Sequence, residues 1–213
     1  GAAARACAEG LGARACFEAP TARYGHGVLG PTPEWGRLSL ALPGGLGGAV
    51  ELPGERVFED LAPRLVDLGG DGRPEVLAVE SHARLGARLA VHGIDGAGAF
   101  ALVAATPWIG RRFRWLAPAA WEDLDGDGAV ELAYVDRPHL AGVLRVWRLG
   151  AGGLEEVAAA SGVSNHRIGA AEIVSAVRVC ADGTREIVLP DFEWSGLVAA
   201  RLGPEGVALR GIA

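Results

Sequence analysis

The chain has 213 residues, a formal net charge of −6 and 50% hydrophobic residues, and all its Lys-plus-Arg complement is Arg, scattered along the length. That balance excludes a non-specific nucleic-acid surface, which needs a basic face, and no apolar run approaches the roughly 18 residues of a membrane-spanning helix. The 33 Gly and 12 Pro are spread between apolar stretches, a pattern of many tight turns in an all-β domain.

The opening GAAARACAEGLGARA is rich in small residues and the chain holds no Met. The expectation is that a leader has been removed, a secretory signal peptide being the candidate, so that the protein is periplasmic or secreted. Cys7, Cys16 and Cys180 permit one disulfide and leave one thiol over. Without a Cys-x-x-Cys pair they do not make a zinc site. Cys16 is expected in the bond. Cys180 is its preferred partner, because a longer loop constrains the unfolded chain more, and Cys7 is the rival, a short local staple. Residues 1–20 read as a segment tied to a single domain spanning 21–213.

Within that domain the chain repeats itself. LVDLGGDGRPEVLAVE from Leu65, WEDLDGDGAVELAYVD from Trp121 and VRVCADGTREIVLPD from Val177 align. Asp71, Asp127 and Asp182 stand 56 and then 55 residues apart, each followed by Gly and, four places on, by Glu75, Glu131 and Glu186. An apolar run follows each, ending at Glu80, Asp136 and Asp191, then a second run from Gly86, Gly142 and Gly196 and a third from Ala99, Leu154 and Gly206. Each unit reads as strand, Asp-loop, strand, turn, strand, turn, strand. The segment RYGHGVLGPTPEWGRLSLAL matches the later part of a unit, with GRLSLAL in third-strand position and no Asp-loop. Four units, about 21–60, 61–108, 115–163 and 172–213, predict a small β-propeller of four blades, each a four-stranded antiparallel sheet. The first unit lacks its innermost strand, which must come from residues 5–17 or from the C-terminal end to avoid an open edge.

DLDGDGAVE places carboxylates at Asp123, Asp125, Asp127 and Glu131 with the Ala129 carbonyl among them, an alternation of hard oxygen donors suited to calcium. The acid at the ninth place and the strand-like residues that follow exclude an EF-hand. A metal-free turn held by Asp side chains is the competing reading. The pattern Asp-x-Asp-x-Asp-Gly-x-x-acid before a strand resembles the FG-GAP and VCBS repeats. The resemblance covers roughly Leu65 to Arg210 and implies an extracytoplasmic propeller whose loops hold calcium. It weakens at the other two loops. Gly69 replaces the second acid beside Asp67, leaving Asp67, Asp71 and Glu75, and Arg178 and Cys180 replace the first two acids of the third loop, where no metal is expected.

The turns away from the Asp-loops carry His26, His82 and His139, a between-unit connection carries His166, and His92 alone lies in a strand. The same side is expected to gather Trp108, Arg112, Arg114, Trp115, Asp136, Asp191 and Trp194. Loops on a rigid scaffold are where binding resides, and Trp, Arg and His together suit a protein or glycan partner. Three readings compete: a non-catalytic calcium-stabilised binding module, a periplasmic metal-dependent or acid–base enzyme using His139, His166 and Asp136, and a subunit of a larger assembly. Solvated loops and acid–arginine pairs that merely hold the units together are the structural alternative for the same residues. No Gly-x-Ser-x-Gly, phosphate-loop or His-Glu-x-x-His motif occurs.

Overall fold

The computed structural model describes residues 4–212; residues 1–3 and 213, parts of the expected N-terminal segment and last repeat, lie outside the described residues. The chain is all-β, with seventeen strands and one short 3-10 turn at Pro43–Gly45 among the described residues. It divides into two compact units, Gly1–Arg114 and Trp115–Ala213.

The first unit holds two antiparallel meanders. One runs through β1 (Ala6–Gly10), β2 (Ala13–Thr21), β3 (Glu34–Ala41) and β4 (Gly47–Glu51). The other runs through β6 (Arg64–Val66), β7 (Glu75–His82), β8 (Gly86–Ile94) and β9 (Phe100–Ala105). The short β5 (Arg56–Phe58) pairs with both β3 and β7 and joins them into one nine-stranded sheet. The unit's core gathers Phe17, Trp35, Leu38, Leu40, Phe58, Val76 and Ala78. Alternation in β3 sends Leu38 and Leu40 inward while Arg37 and Ser39 face the other side, only partly buried, and Phe17 stacks on Phe58 with ring centroids 5.3 Å apart. In β7 six successive residues are buried, as its near-continuous EVLAVES run requires.

The second unit consists of β10 (Leu116–Glu122), β11 (Glu131–Asp136), β12 (Val143–Gly150) and β13 (Gly153–Ser161) in one sheet, and β14 (Ala176–Val179), β15 (Arg185–Pro190), β16 (Leu197–Gly203) and β17 (Gly206–Ile212) in another. Ala120, Ala133, Val135, Leu144, Val146, Ile187, Leu189 and Ala200 form its core. The repeat is visible in detail: the ladder slips at Val91/His92 between β8 and β9 and again at Val146/Trp147 between β12 and β13, and those positions are 55 residues apart.

Strand order agrees with the expected four strands per repeat. The first repeat takes two strands, β1 and β2, from residues 6–21, where one strand, from residues 5–17 or from the C-terminal end, is expected from the sequence. Residues 6–21 are therefore the first two strands of that meander and not a segment tied onto it from outside.

The disulfide expectation needs correction: Cys7 bonds Cys16, and Cys180 is a free thiol. Loop entropy favours long loops only among pairs the folded chain brings together. The β1–β2 register sets Cys7 directly opposite Cys16, with 4.1 Å between their Cα atoms, and that local geometry decides the pairing.

His92 is a buried histidine of the first core, 1% exposed and set against Phe58 and Phe100. Its Nδ1 has no hydrogen-bond partner among the described residues. Burial, with Arg88 and Arg56 adding to it, pushes its pKa down to about 4. An unfolded chain protonates this side chain near pH 6.5, whereas the folded one refuses the proton until about pH 4. Stability from this residue is thus complete above pH 6.5 and falls as the pH drops toward 4, by up to about 3 kcal/mol. His92→Leu is expected to flatten that part of the acid limb. The check is the difference between wild-type and variant urea-unfolding free energies from pH 7 to pH 4, which should shift steadily in favour of the variant.

Candidate functional site

The loop between β10 and β11 folds as the sequence suggests, around Gly126 and Gly128 in the left-handed region at φ 85° and 93°. Its carboxylates first organise the loop's own backbone. Asp123 accepts the N–H groups of Gly126 (2.7 Å) and Gly128 (3.2 Å), Asp125 that of Asp127 (3.2 Å), and Asp127 that of Ala129 (2.8 Å). Glu131, wholly buried at the head of β11, accepts the Leu124 N–H at 2.7 Å. Burial raises its pKa, while the bonds from Leu124 and Arg148 pull the other way.

Arg148 supplies the positive charge. The β11–β12 register places it opposite Glu131, and its guanidinium reaches Glu131 (2.5 Å), Asp125 (2.8 Å) and Asp127 (3.0 Å). These bonds hold its pKa above the usual arginine range. Asp123, Asp125 and Glu131 still offer three ligand atoms within 4.8 Å of one another. All-oxygen donors of this density fit a hard cation. Nothing in the spacing of the loop shows that an arginine seventeen residues past Glu131 reaches into the same cluster.

The related loops differ. In the Asp67 loop, Asp67 accepts Asp71 and Gly72 N–H groups, Asp71 accepts that of Arg73, and Glu75 accepts that of Leu68. Position 93, across from Glu75, is Gly, so no arginine enters there. In the third loop Glu186 binds Arg178 and Arg210, and the Cys180 thiol lies 3.5 Å from the same carboxylate.

The histidine-bearing turns separate into distinct clusters. In the first unit His26 is fixed from several sides. Its Nδ1 lies 2.7 Å from Glu59, whose other oxygen accepts the Ser81 hydroxyl at 2.5 Å. Its backbone N–H and that of Gly25 donate to Glu34. Its ring stacks on Phe113 at 4.8 Å and meets Tyr24 edge-on. Glu59 is 2% exposed, and burial pushes its pKa up despite the bond from His26. Tyr24 accepts the Phe113 N–H, and burial raises its pKa to about 12.

Arg112 lies 4.4 Å over the Phe113 ring, and Arg114 donates to the Phe113 carbonyl. This connection is anchored where Arg111 and Arg114 carbonyls crowd the Cα of Gly86, which sits at φ 74° with no room for a Cβ. His82 meets Trp108 edge-on at 5.5 Å, and Arg88 covers the same indole at 4.2 Å while also pairing with buried Glu80.

In the second unit His139 Nε2 lies 2.9 Å from His166 Nδ1, and His166 Nε2 lies 2.9 Å from the Ala170 carbonyl. A carbonyl only accepts, so His166 carries its proton on Nε2. Burial lowers its pKa and keeps it neutral, so Nδ1 accepts the Nε2–H of His139. Asp136 is not part of this pair: it is bound by Arg137 and Arg145. The expected convergence of His139, His166 and Asp136 is therefore met for the histidines alone.

Trp115, His166 and Asp136 are 2%, 0% and 4% exposed, which corrects their expected place on a contact surface. Each faces inward because it has a bonding or packing partner there. Asp191 caps its own turn through Ser195, which holds its pKa low, and Trp194 is covered by Arg167 at 4.5 Å. Tyr24, Glu59, Ser81 and Arg148 escaped the sequence reading. Glu59 in FED looks like any strand-end acid, and it is the β3–β5 pairing, Trp35 opposite Phe58, that brings it to the β2–β3 connection where His26 lies, while β5–β7 brings it to Ser81.

No family model matches the chain, and no curated protein matches it. Among solved structures it is similar to the periplasmic gluconolactonase of Pseudomonas aeruginosa, PpgL, with 13% identity, 99% of this chain and 71% of that chain covered, and a TM-score of 0.37. Likeness at that score carries no argument about fold or activity.

Removing Arg148 leaves buried Glu131 without its cation. Arg148→Ala in metal-free buffer is expected to cost about 1–3 kcal/mol, the penalty for an unsatisfied buried charged group. Exposed Arg73→Ala, which keeps the backbone bond to Asp71 and removes a side chain with no described bond of its own, should stay within about 0.5 kcal/mol of wild type. Chemical denaturation of the three proteins measures both values.

Proposed function

We propose that the chain is an extracytoplasmic interaction module, non-catalytic, whose four meanders are the blades of a small FG-GAP/VCBS-like propeller. Calcium is held at Asp123, Asp125, Asp127 and Glu131, and a protein or glycan partner is bound at the loops carrying His26, Arg112 and Phe113. The observation that supports the partner site is the layered stack of Arg112 on Phe113 on His26, planar groups ordered by the buried carboxylates of Glu59 and Glu34. Aromatic and guanidinium groups immobilised before contact are what interface hot spots are made of, since little side-chain entropy remains to be lost. The Cys7–Cys16 bond suits an oxidising compartment, and the repeat itself supports the blade arrangement.

Acid–base chemistry at His26 is a second reading, favoured by the Glu59 contact alone. An ionised Glu59 accepts the Nδ1 proton and leaves the Nε2 lone pair as the working site. Partner capture separates the two. On a glycan array and in affinity capture from the native extracellular fraction, Arg112→Ala and Phe113→Ala should each lose at least about tenfold in affinity, whereas Glu59→Gln should retain binding. Unchanged capture by both rim variants overturns the partner site. Retained binding with lost turnover of the captured molecule in Glu59→Gln favours the enzyme.

The calcium part is tested by thermal unfolding in calcium against chelator. At a concentration ten times the dissociation constant, binding adds about 1.4 kcal/mol, a rise of a few degrees. Asp125→Ala should lose the shift, and Arg148→Ala, with its competitor removed, should show a larger one. No shift in wild type at millimolar calcium overturns the metal site.

A further inference from the structure

Within the second unit, a polar cavity of about 260 Å³ lies between the second and third Asp-Gly turns, lined by Asp125, Asp182, Thr184, Arg185 and Arg201 among others. Its charges are unequally committed. Asp125 gives one oxygen to the Asp127 N–H and the other to Arg148. Asp182 accepts both the N–H and the hydroxyl of Thr184 through one oxygen, and these bonds hold its carboxyl below the usual range.

The arginines are not so occupied. The nearest carboxylate to Arg185 is that of Glu122, whose oxygen lies 3.9 Å from its Nε, beyond hydrogen-bond distance. For Arg201 the described residues show no hydrogen bond or close ion pair, only the longer-range pull by which its charge helps hold Asp182 low, and the reason lies in the repeat. Continuing the β15–β16 register one step past Ile187↔Ala200 sets Arg201 across from Glu186, as Arg148 stands across from Glu131. Glu186, however, is already held by Arg178 and Arg210. Arg201 is thereby released from the duty Arg148 performs and lines the cavity instead.

We infer that this cavity is a binding site for a small oxyanion, a carboxylate or phosphate group, held by Arg185 and Arg201, with hydroxyls of its carrier meeting Thr184 and the remaining Asp182 oxygen. Guanidinium groups with unspent N–H donors select planar or tetrahedral oxyanions, and they bind them through charge-assisted bonds. The volume admits a molecule of monosaccharide size and little more. The site is separate from the partner surface proposed above and does not depend on it.

The test is calorimetric and NMR titration of the whole chain with three probes: inorganic phosphate, glucuronate and glucose. Phosphate, glucuronate or both should bind in the millimolar range or tighter, with chemical-shift changes confined to the two turns and β16, and glucose should bind at least about tenfold more weakly. Glucuronate binding well above phosphate identifies a hydroxylated acid as the ligand class, and comparable binding identifies the free anion. Arg201→Ala and Arg185→Ala should each weaken the anion about tenfold or more, and Arg201→Lys should recover only part of the loss. Arg201 is exposed, so its variants should melt with the wild type. The proposal is overturned if neither anion binds, if glucose binds as well as the tighter of the two anions, or if both alanine variants bind as wild type.

Discussion

The fold depends on a carboxylate that heads the second strand of each Asp-loop repeat. Glu75 and Glu131 each reach back to accept the N–H of the Leu seven residues earlier, so the loop is clasped to the strand it precedes. The clasp satisfies a backbone donor that the tight turn strands, but it buries negative charge, and that cost has to be met locally. The three repeats meet it differently. Arg148 crosses from β12 to Glu131. Arg178 and Arg210 come from the first and last strands to Glu186. Glu75 faces Gly93, and burial together with Asp67 and Asp71 pushes its pKa up.

The acids at the far ends of those strands follow the same rule with a different result. Glu80 pairs with Arg56 and Arg88, and Asp136 with Arg137 and Arg145. Both are structural: their charge is spent on fastening neighbouring strands. Glu59 is the exception, since its described bonds go to a histidine and a serine. A buried carboxylate facing an imidazole does not cross-link strands as strongly as one facing a guanidinium, but it fixes ring orientation and tautomer. The placement of acids against arginine or against histidine thus separates strand-fastening carboxylates from one that orients a side chain.

Much of the fold was legible because the repeat is written in residue types with one backbone purpose. Asp-Gly turns, an acid four places on and alternating apolar runs gave four strands per repeat, and the first repeat's need for another strand left residues 5–17 and the C-terminal end as sources, of which the former, with β1 and part of β2, is the one used. What stayed hidden depended on register and on long-range pairing. Cys7 opposite Cys16, Arg148 opposite Glu131, and Glu59 brought to His26 through β3 and β5 are all contacts in which one residue's slip would place the side chain on the other face. Burial was the other blind spot: Trp115 and His166 sit in loop-like sequence, yet they pack against each other at 4.8 Å.

Arginine and a hard cation at the Asp123–Glu131 loop are alternative answers to one electrostatic demand. Four carboxylates within a nine-residue stretch repel unless positive charge enters, and a single guanidinium supplies only one charge. Arg148 contacts Asp125, Asp127 and Glu131, whereas the Asp123 oxygens are bonded to Gly126 and Gly128. The cluster therefore retains net negative charge with its arginine in place. A divalent ion relieves that surplus better than one guanidinium does, at the cost of dislodging or sharing an arginine whose stem lies on an adjacent strand. The balance between them is set by β12. Where the repeat supplies arginine at that position the loop carries its own positive charge and has less to gain from a metal, and where it supplies Gly93 that charge is missing, though with fewer acids to hold a cation.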